Sequence, residues 1–199
     1  MFHVPCFKEK KGVTIVEILV VIFIITIFSS ILVISFPKIT RQFTLTRAVY
    51  KMSQDLRRVQ DMGFSGQKLQ GVNAKGYGVY INLDSSSLGN KKYIMYADAQ
   101  DDQQYDFSGA ICGEQLPNQD CVIETIDLNQ TEPGVIMDRI EGTVNNQEAD
   151  INFKPPNPTV TITSLSPGIN RAQIIFALES DLLTNKIVSV NTAGLIETK

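Results

Sequence analysis

One uninterrupted apolar run dominates the N-terminal part of this chain. From Val13 to Ile34 the only strongly polar side chain is Glu17, and the others are mostly Ile, Val, Leu and Phe with a few Thr and Ser. A helix needs about 20 such residues to cross the hydrocarbon core of a bilayer. The hydroxyl side chains do not oppose this, because they can bond to carbonyls of the preceding helical turn. Residues 13–36 are therefore predicted to form a transmembrane helix.

A short basic segment precedes the apolar run. Lys8, Lys10 and Lys11 lie just before Gly12. An ordinary secretory signal has a small-residue cleavage site after its apolar stretch, whereas no Ala-x-Ala sequence ends this one. Lysines flanking a membrane span favour the cytoplasmic side. We expect a single-pass membrane protein with a cytoplasmic leader, residues 1–12, and a head in the periplasm or at the cell surface.

The junction between these two segments resembles a known processing motif. Residues 10–21, KKGVTIVEILVV, are similar to the prepilin motif of type IV pilins and type II secretion pseudopilins. The resemblance implies that prepilin peptidase cuts after Gly12 and N-methylates Val13, where phenylalanine is commoner in the family. It also implies insertion in the inner or cytoplasmic membrane and assembly with other pilin or pseudopilin subunits into a filament.

Glu17 is the single acid in the apolar run. A charge near the centre of a bilayer costs about 2.5–3.5 kcal/mol on insertion scales, so such a residue indicates function. The resemblance implies an assembly role, in which the carboxylate pairs with the N-terminal amine of a neighbouring subunit. The alternative is an acid near a helix end whose side chain reaches the membrane interface.

Residues 37–62 are predicted to continue as an amphipathic helix, with a kink or a local break near Pro37. Apolar residues recur there at helical spacing, at Leu45, Val49, Met52, Leu56 and Val59. The polar face is predicted to hold Arg47, Lys51, Asp55 and Arg58. Gly63 and Gly66 are expected to end the helix near residue 61. The apolar stripe is predicted to pack on a sheet, and a coiled-coil partner is the alternative.

Residues 63–199 are predicted to form a β-rich, mostly antiparallel head, which makes the fold class α+β. Gly76–Leu83 and Lys92–Ala97 are typical of two hairpin strands separated by a polar turn. The stretch 109–125, which holds two cysteines, is predicted to be loop-like. Further short strands are expected at Val135–Ile140, Ile151–Phe153, Thr159–Thr163, Ala172–Leu178 and Ile187–Val190.

Parts of the head resemble the GspH/FimT group, the H-type minor pseudopilins and their pilus relatives. The similar segments are Gly78-Val79-Tyr80 with Tyr93–Asp98, Ile151–Pro156 and Lys186–Ile196. This resemblance implies a minor filament subunit. The alternative is a tip or DNA-uptake binding module on a type IV pilus, and a membrane-tethered protein that never joins a filament is a third reading.

The cysteines are predicted to form one local disulfide. Cleavage after Gly12 removes Cys6 and leaves Cys112 and Cys121, which are nine positions apart. A pair in an oxidising compartment favours a disulfide, and two unrelated thiols are the alternative. The same cut removes His3, the only histidine and thus the commonest kind of general base and metal ligand.

The sequence contains no motif for a nucleophile elbow, a phosphate-binding loop or a paired-histidine metal site. We therefore expect a protein that is not an enzyme and that has no cofactor. Weak candidates for a calcium site are Asp98, Asp101, Asp102 and Asp106, for which a solvated acidic turn is the alternative. DNA binding is not favoured, because the net charge of −3 becomes −5 without the leader and only Lys91 and Lys92 are adjacent in the head.

Overall fold

The computed structural model describes residues 12–66, 68–69, 73–106, 109–114, 119–155 and 159–199. The predicted leader lies outside the described residues except for Gly12. The chain divides into two units, one ending at Thr40 and the other running from Arg41 to Lys199. The elements confirm the predicted α+β class, because a long N-terminal helix precedes antiparallel sheets.

Helix α1 extends from Ile15 to Ser65. In the first unit, every side chain whose exposure is described is exposed. Among the described residues, α1 is the one helix that is long and apolar enough to cross a membrane, by length and composition. Pro37 lies inside α1, so of the two predicted alternatives, a kink or a local break, the break is wrong. A proline removes one backbone donor, whereas the residues on either side keep theirs and continue the helix.

In the second unit, the remaining part of α1 buries the predicted apolar stripe. Five side chains are at most 2% exposed and confirm the spacing argument: Leu45, Val49, Met52, Leu56 and Val59. The predicted end near residue 61 is wrong by about one turn, because α1 ends at Ser65. Gly66 follows it with φ of +59°, a conformation that ends helices at little cost for glycine.

Two residues of α1 differ from their predicted roles. Gly63 does not end the helix but is buried inside it, where a Cβ would lie 2.5 Å from the carbonyl oxygen of Phe153. Asp55, which helical spacing predicts on the polar face, is only 3% exposed. Its position follows from a hydrogen bond to the buried hydroxyl of Tyr93, which a count of helical spacing does not include.

The head contains nine strands and one short helix among its described residues. In chain order they are β1 (Gly76–Asn82), β2 (Lys92–Asp98), β3 (Cys121–Asp127), α2 (Leu128–Thr131), β4 (Val135–Glu141), β5 (Glu148–Lys154), β6 (Thr159–Ile162), β7 (Arg171–Leu178), β8 (Asp181–Asn191) and β9 (Ile196–Thr198). The predicted β1–β2 hairpin is confirmed, with Tyr80 opposite Ile94. Strand β3 corrects the prediction of a loop around Cys121.

The strands form two antiparallel sheets. The first has the order β3-β2-β1-β5-β6 and the second the order β4-β7-β8-β9. Side chains from both sheets and from α1 beyond Arg41 enter one core, which includes Met52, Tyr77 and Phe176. A smaller cluster of Ile94, Tyr96, Tyr105 and Val122 lies on the first sheet as well. The core therefore holds α1 and both sheets together within the second unit.

The predicted disulfide is confirmed. Cys112 and Cys121 are bonded, with their Cα atoms 4.8 Å apart. Two backbone hydrogen bonds flank it, from Cys112 N to Val122 O at 3.0 Å and from Val122 N to Ala110 O at 2.8 Å. The chain-entropy model gives about 2–3 kcal/mol for closing a loop of this length. The bond thus fastens the segment before β3 to the start of that strand.

Candidate functional site

The predicted cleavage site lies immediately before α1. Residues 12–14 are not helical, and Gly12 has no neighbouring atom within 4 Å of a built Cβ. The side chain of Val13 is 67% exposed. The Gly12–Val13 peptide bond therefore lies outside the helical hydrogen-bond pattern, in a segment that a peptidase could bind in an extended form.

Thr14 caps the first turn of α1. Its carbonyl oxygen accepts from Glu17 N at 3.1 Å and from Ile18 N at 3.3 Å, and its Oγ1 accepts from Glu17 N at 3.3 Å. The Glu17 side chain is exposed, in the first helical turn, where a carboxylate complements the helix dipole. The cap thus sets the start of the helix two residues after the predicted new N-terminus, and the Glu17 carboxylate forms no hydrogen bond or ion pair with another described residue.

The four weak calcium candidates do not come together as a group. Asp98 and Asp102 lie with Asp120 so that one oxygen of each is within 4.8 Å of the others. Asp101 instead forms an ion pair with Lys154 at 2.6 Å. Asp106 accepts from the side chain of Gln100 at 2.6 Å. Sequence reasoning missed Asp120, although its place directly before a buried cysteine was an available signal.

The two buried members of this group hold the segment 99–106 through its backbone. Asp98 accepts from Asp101 N at 2.7 Å and from Gln103 N at 3.0 Å. Asp120 accepts from Ala99 N and Asp106 N, both at 3.0 Å. These three carboxylates carry oxygens of the kind that Ca²⁺ binds. Backbone hydrogen bonds already account for the placement of the two buried ones, so the geometry supports a structural role.

A further buried carboxylate, Asp150 on β5, joins the same segment. It accepts from the Tyr96 hydroxyl and, at 2.5 Å, from Tyr105 N. Burial raises the pKa of Asp150 to about 8 and the pKa of Asp120 to about 6. Burial also raises the pKa of Asp98 above its ordinary value. All three side chains are at most 3% exposed, so desolvation of the charged form outweighs the hydrogen bonds that favour it.

These shifts predict that the head loses stability as the pH rises from 5 to 8. A carboxyl with a raised pKa binds its proton more tightly when folded, so its contribution is complete below the unfolded pKa near 4 and is lost through the folded value. Asp120 should lose its contribution near pH 6 and Asp150 near pH 8. We expect the free energy of unfolding to fall by about 1 kcal/mol per pH unit between pH 6 and 8.

Denaturant titrations at several pH values would measure this slope. Asp150→Asn should lower overall stability but flatten the slope, because the variant has no proton to release at this position. The exposed Asp84, whose pKa is lowered by backbone and side-chain bonds from Ser86, provides a control as Asp84→Asn. A slope that is the same in wild type and Asp150→Asn would contradict the assignment of this pH dependence to Asp150.

The two adjacent lysines of the head are both paired. Lys91 contacts Glu179 at 3.1 Å, and Lys92 contacts Asp127 at 3.5 Å. Both pairs are partly exposed, which limits their contribution to stability. They add no support to a basic surface for nucleic acid at this place.

The comparison with known families found a match to the N-terminal part of the chain. The family described as prokaryotic N-terminal methylation motif matches residues 7–33, which include Gly12, Val13 and Glu17. No curated protein and no solved structure matches the chain significantly. The match covers the processing site and most of the apolar run, and it does not extend to the head.

Proposed function

The chain is a type IV pilin-like protein, identified by the N-terminal methylation motif at residues 7–33, and we propose that it is a minor pilin or pseudopilin. Chains of this kind are structural proteins and not enzymes. In this proposal, prepilin peptidase cuts after Gly12, and the subunit joins a type IV pilus or type II secretion filament through the apolar part of α1. The head lies outside the cytoplasm and the apolar run is its membrane anchor.

The observation that carries the proposal is the motif at the start of the exposed apolar part of α1. A helix that is apolar all round needs lipid or other apolar helices around it. Within the described residues of the first unit, large apolar side chains such as Phe23, Ile25 and Phe28 are 57–65% exposed. An assembly of such helices would replace lipid by protein contacts around each copy, and Glu17 would then acquire a partner from another subunit.

The finer assignment, a minor subunit, rests on the head. The segments similar to the GspH/FimT group are β1 with β2, β5 and the β8–β9 region. Gly78, within β1, would place a Cβ 2.3 Å from the ring of Tyr96, which lies opposite it on β2. The packing against Tyr96 therefore requires glycine at position 78. This requirement supports including Gly78-Val79-Tyr80 among the segments that resemble the GspH/FimT group.

Processing is the first test. The full-length chain is co-expressed with a prepilin peptidase, and the N-terminus of the product is determined by mass spectrometry. We expect loss of residues 1–12 and a methylated amine on Val13. Gly12→Leu should retain the leader, because its side chain occupies the position next to the cut bond, whereas Val13→Phe should be processed normally. A wild-type chain that keeps its leader, or is cut elsewhere, would contradict the proposal.

Assembly is the second arm of the same experiment. Glu17→Leu should be processed and inserted but lost from the sheared filament fraction, since the carboxylate that pairs with a neighbour is gone. Thr26→Ala is the matched control in the apolar run, because it removes only a hydroxyl that bonds to Phe23 O at 2.8 Å. Normal assembly of Glu17→Leu would favour a membrane-tethered protein that does not join a filament.

A further inference from the structure

The short helix α2 contains an acceptor sequence for asparagine-linked glycans. Residues 129–131, Asn-Gln-Thr, have the form Asn-x-Ser/Thr, which accepts glycans on the surface of exported proteins when x is not proline. Residues 157–159 also have asparagine and threonine at this spacing, but proline stands between them. Matches of three residues arise often by chance, so the surroundings of Asn129 must show whether an enzyme could use it.

The acceptor group and the hydroxyl group of this sequence are both at the surface. Asn129, Gln130 and Thr131 are all exposed. The backbone N of Asn129 donates to Asp127 Oδ1 at 2.9 Å, whereas its side-chain amide forms no hydrogen bond with another residue that the structure describes. Glycosyl transfer requires an amide nitrogen that can enter an enzyme's active site, and Asn129 Nδ2 has no such bond to break.

The backbone on either side of the acceptor sequence is fixed. Leu128, directly before Asn129, is 1% exposed and belongs to the core. Glu132, directly after Thr131, donates from its backbone N to Leu128 O at 2.8 Å, and its carboxylate pairs with Arg47 at 2.9 Å. Between these points α2 is a single turn of four residues, too short to be stable as an isolated helix. The asparagine is therefore held at a defined place on a turn that can open locally.

The surface beside α2 has room for a sugar. Helix α2 directly follows β3, which is the edge strand of the first sheet. An open recess next to it is lined by charged and polar side chains of both signs, among them Lys51, Lys92, Asp127, Gln130 and Thr131. Sugar hydroxyls both donate and accept hydrogen bonds, so side chains of this kind suit the first residue of a glycan.

We propose that Asn129 is a glycosylation site, which receives an oligosaccharide from a polyprenyl diphosphate carrier. In the transfer, Asn129 Nδ2 forms a bond to the anomeric carbon of the first sugar, and the bond from that carbon to the diphosphate oxygen breaks. The polyprenyl diphosphate leaves with the proton that Nδ2 loses. This chain supplies only the acceptor, and a separate transferase supplies the catalysis. The inference rests on the proposed function, because acceptors of this kind belong to exported domains.

Transfer to the purified protein tests the site directly. The full-length chain in detergent is incubated with a bacterial oligosaccharyltransferase and its polyprenyl-linked oligosaccharide, and the peptide that contains Asn129 is analysed by mass spectrometry. We expect one added oligosaccharide in the wild type and in Thr131→Ser, and its loss in Asn129→Gln and Thr131→Ala. Gln130→Ala, at the exposed middle position, is the matched control and should be modified like the wild type. All these changes are at the surface, so the unfolding midpoints should stay unchanged.

A folded wild-type chain that stays unmodified would overturn the inference, and so would equal modification of wild type and Thr131→Ala. Co-expression of the chain with the same enzyme in cells tests the location of the head separately. Modification of the purified protein together with an unmodified chain in cells would support the acceptor site and contradict the proposed export of the head. The two failures are therefore distinguishable.

Discussion

Asp55→Ala is expected to destabilise the head by about 3 kcal/mol, because it removes the only acid that joins the buried face of α1 to β2 among the described residues. The Asp55 carboxylate accepts from the Tyr93 hydroxyl and from Lys51 Nζ, each at 2.6 Å. Without it, the Tyr93 hydroxyl stays buried with no carboxylate to accept its hydrogen bond. Burial and the nearby Asp55 charge both raise the pKa of Tyr93 above its ordinary value, so this hydroxyl remains a donor.

Denaturant unfolding of the full-length protein in detergent would measure the loss. Tyr93→Phe alone should cost about 1–3 kcal/mol, since it leaves Asp55 Oδ2 without that donor. The double variant Asp55→Ala with Tyr93→Phe should be more stable than the sum of the two single changes predicts. Asp61→Ala, an exposed acid on the same helix, is the control and should stay within about 0.5 kcal/mol of wild type. If the double variant loses as much free energy of unfolding as the two single variants together, a direct bond between Asp55 and Tyr93 is contradicted.

Gly63→Ala is expected to destabilise the head by about 2–3 kcal/mol, although alanine favours helices by up to about 1 kcal/mol over glycine. A Cβ at Gly63 would lie 2.5 Å from Phe153 O and 2.8 Å from Phe153 Cβ. Phe153 is on β5 and fully buried, so α1 and the first sheet would have to separate locally. The expected sign is therefore opposite to that of helix propensity.

Gly66 is the matched control for Gly63. It lies three residues further on, has φ of +59°, and has no atom within 4 Å of a built Cβ. Gly66→Asn should cost less than about 1 kcal/mol, because asparagine tolerates this conformation. Thermal melts of both variants would separate the steric effect of a Cβ at Gly63 from the conformational cost of replacing the glycine at Gly66. A stabilised Gly63→Ala variant would show that α1 approaches β5 less closely than the structure has it.

The features that the sequence predicted are those carried by local patterns. The stripe from Leu45 to Val59 has a helical period, and the β1–β2 hairpin is a pair of apolar segments around a polar turn. The Cys112–Cys121 bond joins residues close in sequence. Each of these depends on neighbours along the chain, so the residue types alone were sufficient.

The features that the sequence did not predict depend on contacts between distant segments. Asp55 is polar and occupies a helical position that looks solvated, but Tyr93 on another element supplies its partner. Asp120 joins Asp98 only because β3 lies beside β2 in the first sheet. The division of the strands into two sheets likewise follows from pairings such as β1 with β5, which are far apart in sequence. At the N-terminus, the spacing between Gly12 and Glu17 could be interpreted from the sequence, because it belongs to a local motif and does not depend on packing between distant segments.

The cluster of Tyr96 and Tyr105 has a consequence for how the head can vary in evolution. The segment 99–106 lies over the face of the first sheet that α1 does not cover, so six successive residues of β2, from Tyr93 to Asp98, are all buried. In a sheet with one solvent-exposed face, every second residue of a strand can be substituted at little cost to packing. Here both alternating sets are constrained, so variation that distinguishes one relative from another is directed to the exposed turns.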